Sequence, residues 1–328
     1  MEKIKLLTMA ALATAVFASC SNEDGLPQSN YPADNVVRIT TSVDGMNTRA
    51  SYGNSTDKLK SFGFCIKNAN SEKYTYDNIK VSQKGYNWIP ATQMLWKNST
   101  TAVDILAYAP YQETTEDANG KVKVFGKTDY AFSVKEDQSN AEDYSSDLIV
   151  FKQTGFTPVL ELNTSKAVEV AFTHLLSQLN LIIELRDQFN TNNNTVTKGF
   201  VTDVKVNGTI ISSKVDFSAS PISVQVDGTQ TAAITPETTG FTPAENATAH
   251  AVFNYSAIVI PQTVAAGNFS ISFKVNNTEY IWTATDAVTF ESGKKHELHL
   301  LAGKDVVQGG AISAIPWGDE TITEKETD

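Results

Sequence analysis

Residues 172–179 read Phe172-Thr173-His174-Leu175-Leu176-Ser177-Gln178-Leu179, and the apolar residues Leu181, Ile183 and Leu185 follow at every second position. A two-residue period marks a strand with one face buried. Phe172, His174 and Leu176 obey the same period, but on even numbers. A regular strand cannot change parity, because successive side chains point to opposite faces. The stretch therefore predicts a β-bulge or a short irregular turn near Ser177-Gln178. His174, lying in an apolar strand, reads as a hydrogen-bonded core histidine.

The same period recurs outward in both directions. Val37, Ile39, Thr41 and Val43 share one face, with Arg38, Thr40 and Ser42 on the other. Phe62, Phe64 and Ile66 repeat it, as do Val103, Ile105 and Ala107, then Phe269, Ile271, Phe273 and Val275, then Tyr280, Trp282 and Ala284. Val204-Lys205-Val206 runs into Asn207-Gly208, a pair favoured in tight hairpin turns. Gln188 to Thr197 reads as an Asn/Thr-rich loop, and no convincing amphipathic helix of ten or more residues is present. Many short strands between turn signals predict an all-β chain built of β-sandwiches. A length of 328 residues suits two domains. The break is expected near Thr164 to Ala167, after Ser146-Asp147-Leu148-Ile149-Val150-Phe151 and before a new strand set opening at Val168. This gives an N-terminal sandwich over 36–165 and a C-terminal one over 166–328.

Ahead of them, residues 20–35 are polar, contain Pro27 and Pro32, and read as a flexible tether. Residues 1–19 read as a signal peptide: Lys3 and Lys5, the apolar Leu6 to Phe17, then Phe17-Ala18-Ser19-Cys20. Small residues before a cysteine match the bacterial lipobox, so Cys20 is the expected lipidation site and first mature residue. The apolar run falls short of the roughly 20 residues that span a bilayer. Several acyl chains, each contributing about 0.8 kcal/mol per buried methylene, hold such a protein to an outer membrane instead. Ser21-Asn22-Glu23-Asp24-Gly25 resembles the export tag of surface lipoproteins.

A net charge of −11 without any Lys/Arg cluster argues against nucleic acid and anionic membrane surfaces as partners. With Cys20 lipidated, Cys65 has no disulfide partner and reads as a small buried residue. His296 and His299 form His-Glu-Leu-His, but on a strand residues three apart point to opposite faces, so no common metal is expected. Glu136, Asp137, Glu142, Asp143 and Asp147 lack calcium-loop spacing and read as a solvated loop. Tyr74, Tyr76, Tyr86, Trp88 and Trp96 could line a sugar-stacking platform, although core packing is the commoner use of such residues. No Gly-x-Ser-x-Gly, phosphate loop or dinucleotide fingerprint occurs. The expectation is a protein that is not an enzyme and takes no cofactor.

Several fragments together resemble the fimbrillin family of type V pilus subunits and related surface lipoproteins. They are Val36 to Val43, Gly45-Met46-Asn47-Thr48-Arg49-Ala50, Met94-Leu95-Trp96, and Val103 to Tyr111 with Ala107-Tyr108-Ala109-Pro110. The series continues with Ser146-Asp147-Leu148-Ile149, Phe172 to Leu179, Ile258-Val259-Ile260-Pro261-Gln262, Phe290-Glu291-Ser292-Gly293-Lys294-Lys295 and Ile315-Pro316-Trp317. The resemblance implies two transthyretin-like β-sandwich domains in series. It also implies assembly with other pilus subunits by β-strand addition, as stalk, tip or anchor, and adhesion to a host or bacterial surface ligand. In that mechanism a first strand, here Val37, Ile39, Thr41 and Val43, fills a groove until an arginine-specific protease releases it. A strand from another subunit then fills the slot.

Of three arginines, Arg38 lies within a strand and Arg186 follows the apolar run ending at Leu185. Arg49, in a polar stretch after a strand, is the expected processing site, with Ala50 as the new N-terminus. Ala311, Ser313, Ile315 and Trp317 alternate acceptably for a donor strand, or for the last strand of the second domain. Gly318 to Asp328 departs from a stalk subunit, being acidic with only Ile322 apolar. The alternative reading is a monomeric glycan-binding surface lipoprotein.

Overall fold

The computed structural model describes residues 30–43, 58–69, 72–113, 124–190 and 196–317. Among them the chain is built of short strands joined by turns. The first eight are β1 (Ile39–Val43), β2 (Ser61–Lys67), β3 (Tyr76–Lys84), β4 (Asn87–Pro90), β5 (Val103–Ala109), β6 (Tyr130–Ser133), β7 (Ile149–Phe156) and β8 (Val168–His174). Then come β9 (Ser177–Leu185), β10 (Val201–Ile210), β11 (Ser212–Asp216), β12 (Ser223–Val226), β13 (Thr231–Ile234) and β14 (Glu237–Thr242). The last eight are β15 (Ala251–Val259), β16 (Gln262–Val264), β17 (Ser270–Val275), β18 (Thr278–Thr283), β19 (Val288–Phe290), β20 (Lys294–Ala302), β21 (Val307–Gly309) and β22 (Ser313–Pro316). One turn of α-helix, α1 (Pro158–Glu161), lies between β7 and β8.

A seven-stranded sheet runs β1-β8-β7-β5-β2-β3-β4. A second sheet runs β14-β15-β9-β20, with β21 and β22 both pairing the outer edge of β20. Smaller sheets are β13-β10-β17-β18, β12-β11-β6 and β16-β19. The apolar side chains gather into two clusters. Phe62, Phe64, Ile66, Ile105 and Ala107 of the seven-stranded sheet enter one, together with Val37, Ile39 and Val43. Cys65, Leu106 and Tyr108 of the same strands enter the other, with Leu179, Leu181, Phe253, Phe269 and Leu298. Strands β2 and β5 are thus buried on both faces, which explains their unbroken apolar runs.

Three expectations change. The break at Thr164–Ala167 does not divide the strand sets. α1 and a turn closed by Asn163, whose side-chain oxygen takes the Ala167 N–H at 3.1 Å, return the chain tightly from β7 to β8. β8 stays in the first sheet, pairing with β7 and β1. The sets divide instead at Leu175-Leu176, where the chain crosses to β9 in the second sheet. That crossover, an irregular turn at Leu175-Leu176 and not a bulge at Ser177-Gln178, is the cause of the parity change at 172–179. In the other direction, β6 leaves the first stretch of chain to pair with β11. Neither 36–165 nor 166–328 is therefore a closed set of strands.

The third change concerns Asn207-Gly208, which makes a bulge inside β10 rather than a hairpin turn. The register slips between Val206 and Thr209, and Gly208 has φ +91°. A Cβ there would lie 2.0 Å from the Asn268 carbonyl oxygen, so only glycine fits.

Candidate functional site

The residues singled out as the first strand sit at an exposed sheet edge. β1 pairs in parallel with β8 alone, from Ile39 opposite Val168 to Val43 opposite Phe172. Just before it, Val37 N–H donates to the Met94 carbonyl at 3.0 Å, and Val36 bridges Leu95. Val37, Ile39 and Val43 are buried at 2%, 6% and 6% exposure. Burying each fully contributes about 1.5–3 kcal/mol, so the three together hold β1 by roughly 5–9 kcal/mol as an upper figure. Thr41, the fourth expected member of that face, is half-buried, and its hydroxyl is buried without a protein hydrogen-bond partner.

Beyond β1 lies a groove of about 470 Å³, lined by Val36, Arg38, Thr40, Trp88, Ile89 and Met94 among others. It separates β1 from β4, the opposite edge of the same sheet. Arg38 forks onto Asp34 at 2.7 and 3.0 Å. That guanidinium, and then the Val36 N–H, hold the Asp34 carboxyl down to about 2. Arg186 is also engaged, donating to the Gln308 side-chain oxygen at 2.7 Å. Arg49 and Ala50, like Cys20, lie outside the described residues.

The C-terminal segment is docked on its own chain. β21 and β22 run antiparallel to β20 in succession, but not in one register. Leu300 faces Gly309, whereas Lys294 faces Pro316. Residues Gly310 to Ile312 therefore carry one extra residue, a bulge, and the slip turns the following side chains to the other face of the sheet. Ile315 pairs with Lys295 and is half-buried, while Ala311 and Ser313 are exposed. Only Trp317, just after β22, is buried, at 4% exposure.

Trp317 lies flat on His174, with ring centroids 3.9 Å apart and planes at 3°. On the edge of the His174 ring, Nδ1 meets Asp147 Oδ1 at 2.9 Å, with both side chains fully buried. This contact assigns the proton to Nδ1, as donor to the carboxylate. His174 Nε2 and the Trp317 indole Nε1 are buried without a protein hydrogen-bond partner, a cost of about 1–3 kcal/mol per group. Sequence reasoning found His174 but missed its partners. Asp147 sat in a run that reads as solvated loop, and nothing local distinguishes it from Asp143, which pairs with Lys135 near the surface.

That acidic loop packs on the second sheet. The Gln138 amide donates to the Ile258 carbonyl at 2.9 Å and accepts the Ile258 N–H at 2.7 Å, standing in for a strand. Nearby, Glu237, Ser256, Gln178 and Lys295 are all buried and share one face across β14, β15, β9 and β20.

Among the remaining chemistry-bearing residues, His250 and His299 meet at Glu184 and the others lie apart. His296 is buried beside Phe290, and burial lowers its basicity. His299 is half-exposed on the opposite face, with Nε2 2.6 Å from Glu184 Oε2. The other oxygen of Glu184 takes His250. The register sets His250 and His299 on opposite diagonals of Glu184, so they share one carboxylate. The Cys65 thiol is pushed up by burial and by the Asp77 carboxylate, which leaves it a poor nucleophile. Trp96 is in the core, stacked on Phe156, and Trp88 packs on Phe62, whereas Tyr86 is fully exposed. The five aromatics do not form one platform.

The fimbrillin-like family model matches residues 48–317. The chain belongs to the fimbrillin-like family. The match opens between β1 and β2 and closes on Trp317, so both the docked first strand and the acidic tail fall outside it. This fimbrillin-like chain also shares its fold with solved structures. A candidate cell adhesion protein from Bacteroides ovatus is 13% identical with a TM-score of 0.61, covering 88% of this chain and 100% of that one. One from Bacteroides uniformis is 18% identical with a TM-score of 0.56, covering 87% and 99%. A fimbrial protein from Bacteroides vulgatus is 17% identical with a TM-score of 0.51, covering 86% and 99%. No curated protein sequence matches the chain.

Proposed function

We propose that this fimbrillin-like chain is a surface-anchored pilus subunit that acts by strand exchange and adhesion, not by catalysis. The observation that carries the reading is β1. It is an edge strand with one ladder partner and two buried apolar anchors, Ile39 and Val43, reinforced by Val37 just before it, and Arg49 follows it in the sequence. Cutting after Arg49 removes the covalent tie between β1 and the rest of the fold. The slot then exposes apolar surface and the unpaired edge of β8, which a strand from another subunit fills through ladder hydrogen bonds. Head-to-tail contacts of this kind do not close on themselves and so propagate. The start of the family match after β1 supports the same division of the chain. The relatives described as fimbrial or cell adhesion proteins support the surface role. Lipidation of Cys20 anchors the chain to the outer membrane in this reading, and the two apolar clusters correspond to two sandwich units in series.

Mild trypsin treatment followed by N-terminal sequencing tests the processing site. The expected product begins at Ala50, with a ladder of polymers on an unboiled gel only after the cut. Normal assembly of an Arg49→Ala variant overturns the mechanism. Membrane association unchanged in a Cys20→Ala variant overturns the anchor.

A further inference from the structure

We infer that the groove between β1 and β4 binds a neutral saccharide, such as the terminal ring of a surface glycan, and is complete only while β1 is docked. β1 and β4 are the two edges of the seven-stranded sheet, each with one ladder partner. Backbone N–H and C=O groups outside any ladder therefore border the groove on both sides. The chain closes one end of it. Beyond Pro90 it turns through Ala91 to Gln93 and meets Asn35–Val37, where Val37 N–H donates to Met94 O at 3.0 Å and Trp96 N–H donates to Asn35 O at 2.8 Å. An added strand lies about 4.8 Å from each neighbour and runs the length of the edges, so it needs a slot open at both ends. A space of about 470 Å³ closed at one end suits a compact ligand instead.

The walls select the chemistry. A sugar ring presents hydroxyls, which donate and accept, and an apolar C–H face. Asn87 and Gln93 are exposed on the groove, and each side-chain amide both donates and accepts. Trp88, half-buried against Phe62 at 5.1 Å, lines the groove beside the exposed Ile89, and such a surface meets a C–H face. Arg38 is the one charged lining residue, and its guanidinium is neutralised on Asp34 at 2.7 and 3.0 Å. On a chain of net charge −11, that arrangement disfavours an anionic ligand. Residues 36–40 form one wall, so binding and retention of β1 are linked. What fills the groove holds β1 in place, and departure of β1 removes the site.

The inference names a ligand class for the adhesive role proposed above and rests on that reading, but it is measured on the uncut full-length chain. Tryptophan fluorescence and saturation-transfer NMR follow titration with glucose, galactose, mannose and N-acetylglucosamine, with N-acetylneuraminic acid as the anionic probe. Saturable binding of at least one neutral sugar is expected. Trp88→Ala should weaken it about tenfold and Gln93→Ala about threefold. Tyr86→Ala, at the exposed tip of the same hairpin, should leave it unchanged. If Trp88→Ala unfolds the chain, the exposed-site variants Asn87→Ala and Gln93→Ala decide the matter. Saturating sugar should also slow hydrogen exchange in Ile39–Val43. Failure of all four neutral sugars to bind, binding untouched by the Asn87 and Gln93 variants, or preference for N-acetylneuraminic acid overturns the site. Those results would leave cleavage after Arg49 and polymer formation intact, whereas a chain that is never cut there overturns the proposed function and leaves sugar binding standing.

Discussion

β1 and β22 are the first and last strands of the described chain, and each is added to a sheet edge by a single ladder, yet they are held in different ways. β1 is a five-residue strand, parallel to its partner, with Ile39 and Val43 in the core and Val37 buried just before it. β22 is a four-residue strand, antiparallel to its partner, carried to its place by a one-residue bulge and anchored by Trp317 alone. Parallel pairing is slightly the weaker per residue, so ladder geometry favours β22 and burial favours β1. Burial has the greater effect: three aliphatic side chains outweigh one aromatic ring that also hides two unpaired nitrogens. The difference teaches that apolar burial, more than ladder geometry, sets how firmly an edge strand is docked.

The comparison can be broken most directly at Ile39. Ile39→Ala is expected to cost about 3 kcal/mol in urea unfolding, within the range for large-to-small core changes. A loss below about 1 kcal/mol would mean that β1 is not held by burial. Trp317→Ala should cost less, about 2 kcal/mol, because relief of the buried ring nitrogens offsets part of the lost packing. Equal losses at the two positions would erase the distinction between the two strands.

Gly309→Ala probes how β22 is delivered to its edge. The added Cβ would lie 2.3 Å from Trp282 Nε1 and 2.9 Å from Leu300 Cδ2, so β21 must shift. Overpacking of this kind costs about 1–2 kcal/mol, and the accompanying rise in exchange should centre on Val307–Pro316. The smallest effect is expected at His299, whose contact with Glu184 is half-exposed and shared with His250. His299→Ala should change the urea midpoint by the equivalent of under about 0.5 kcal/mol. A larger loss would show that the outer face of β20 contributes to docking β22.

Much of this was legible along the chain. The two-residue period located the strands, and Val37, Ile39 and Val43 are buried as their alternation requires. The opposite faces of His296 and His299 follow from strand geometry alone. Even the anomaly at Phe172–Leu179 was visible, although its meaning was not. A parity change can signal a bulge within one strand or a crossover between two sheets, and local sequence does not separate these. Asn207-Gly208 shows the converse: a pair that favours a hairpin serves as a bulge, because its partners β13 and β17 are supplied from far along the chain. The site was harder to read. Asp147 and His174 are 27 residues apart, and Trp317 lies farther still.

What the amino-acid sequence determined by itself is what depends on near neighbours: strand period, turn and glycine positions, the acidic surface and the burial of alternate side chains. Which strands pair was decided only in the tertiary structure. β8 joins β1 rather than β9, β6 crosses to β11, and Trp317 comes to rest on His174. The physical reason is that a strand's hydrogen-bonding edges carry no side-chain identity. Any strand of suitable length and face can occupy an edge, and the choice falls to the arrangement that buries the most apolar surface across the whole molecule.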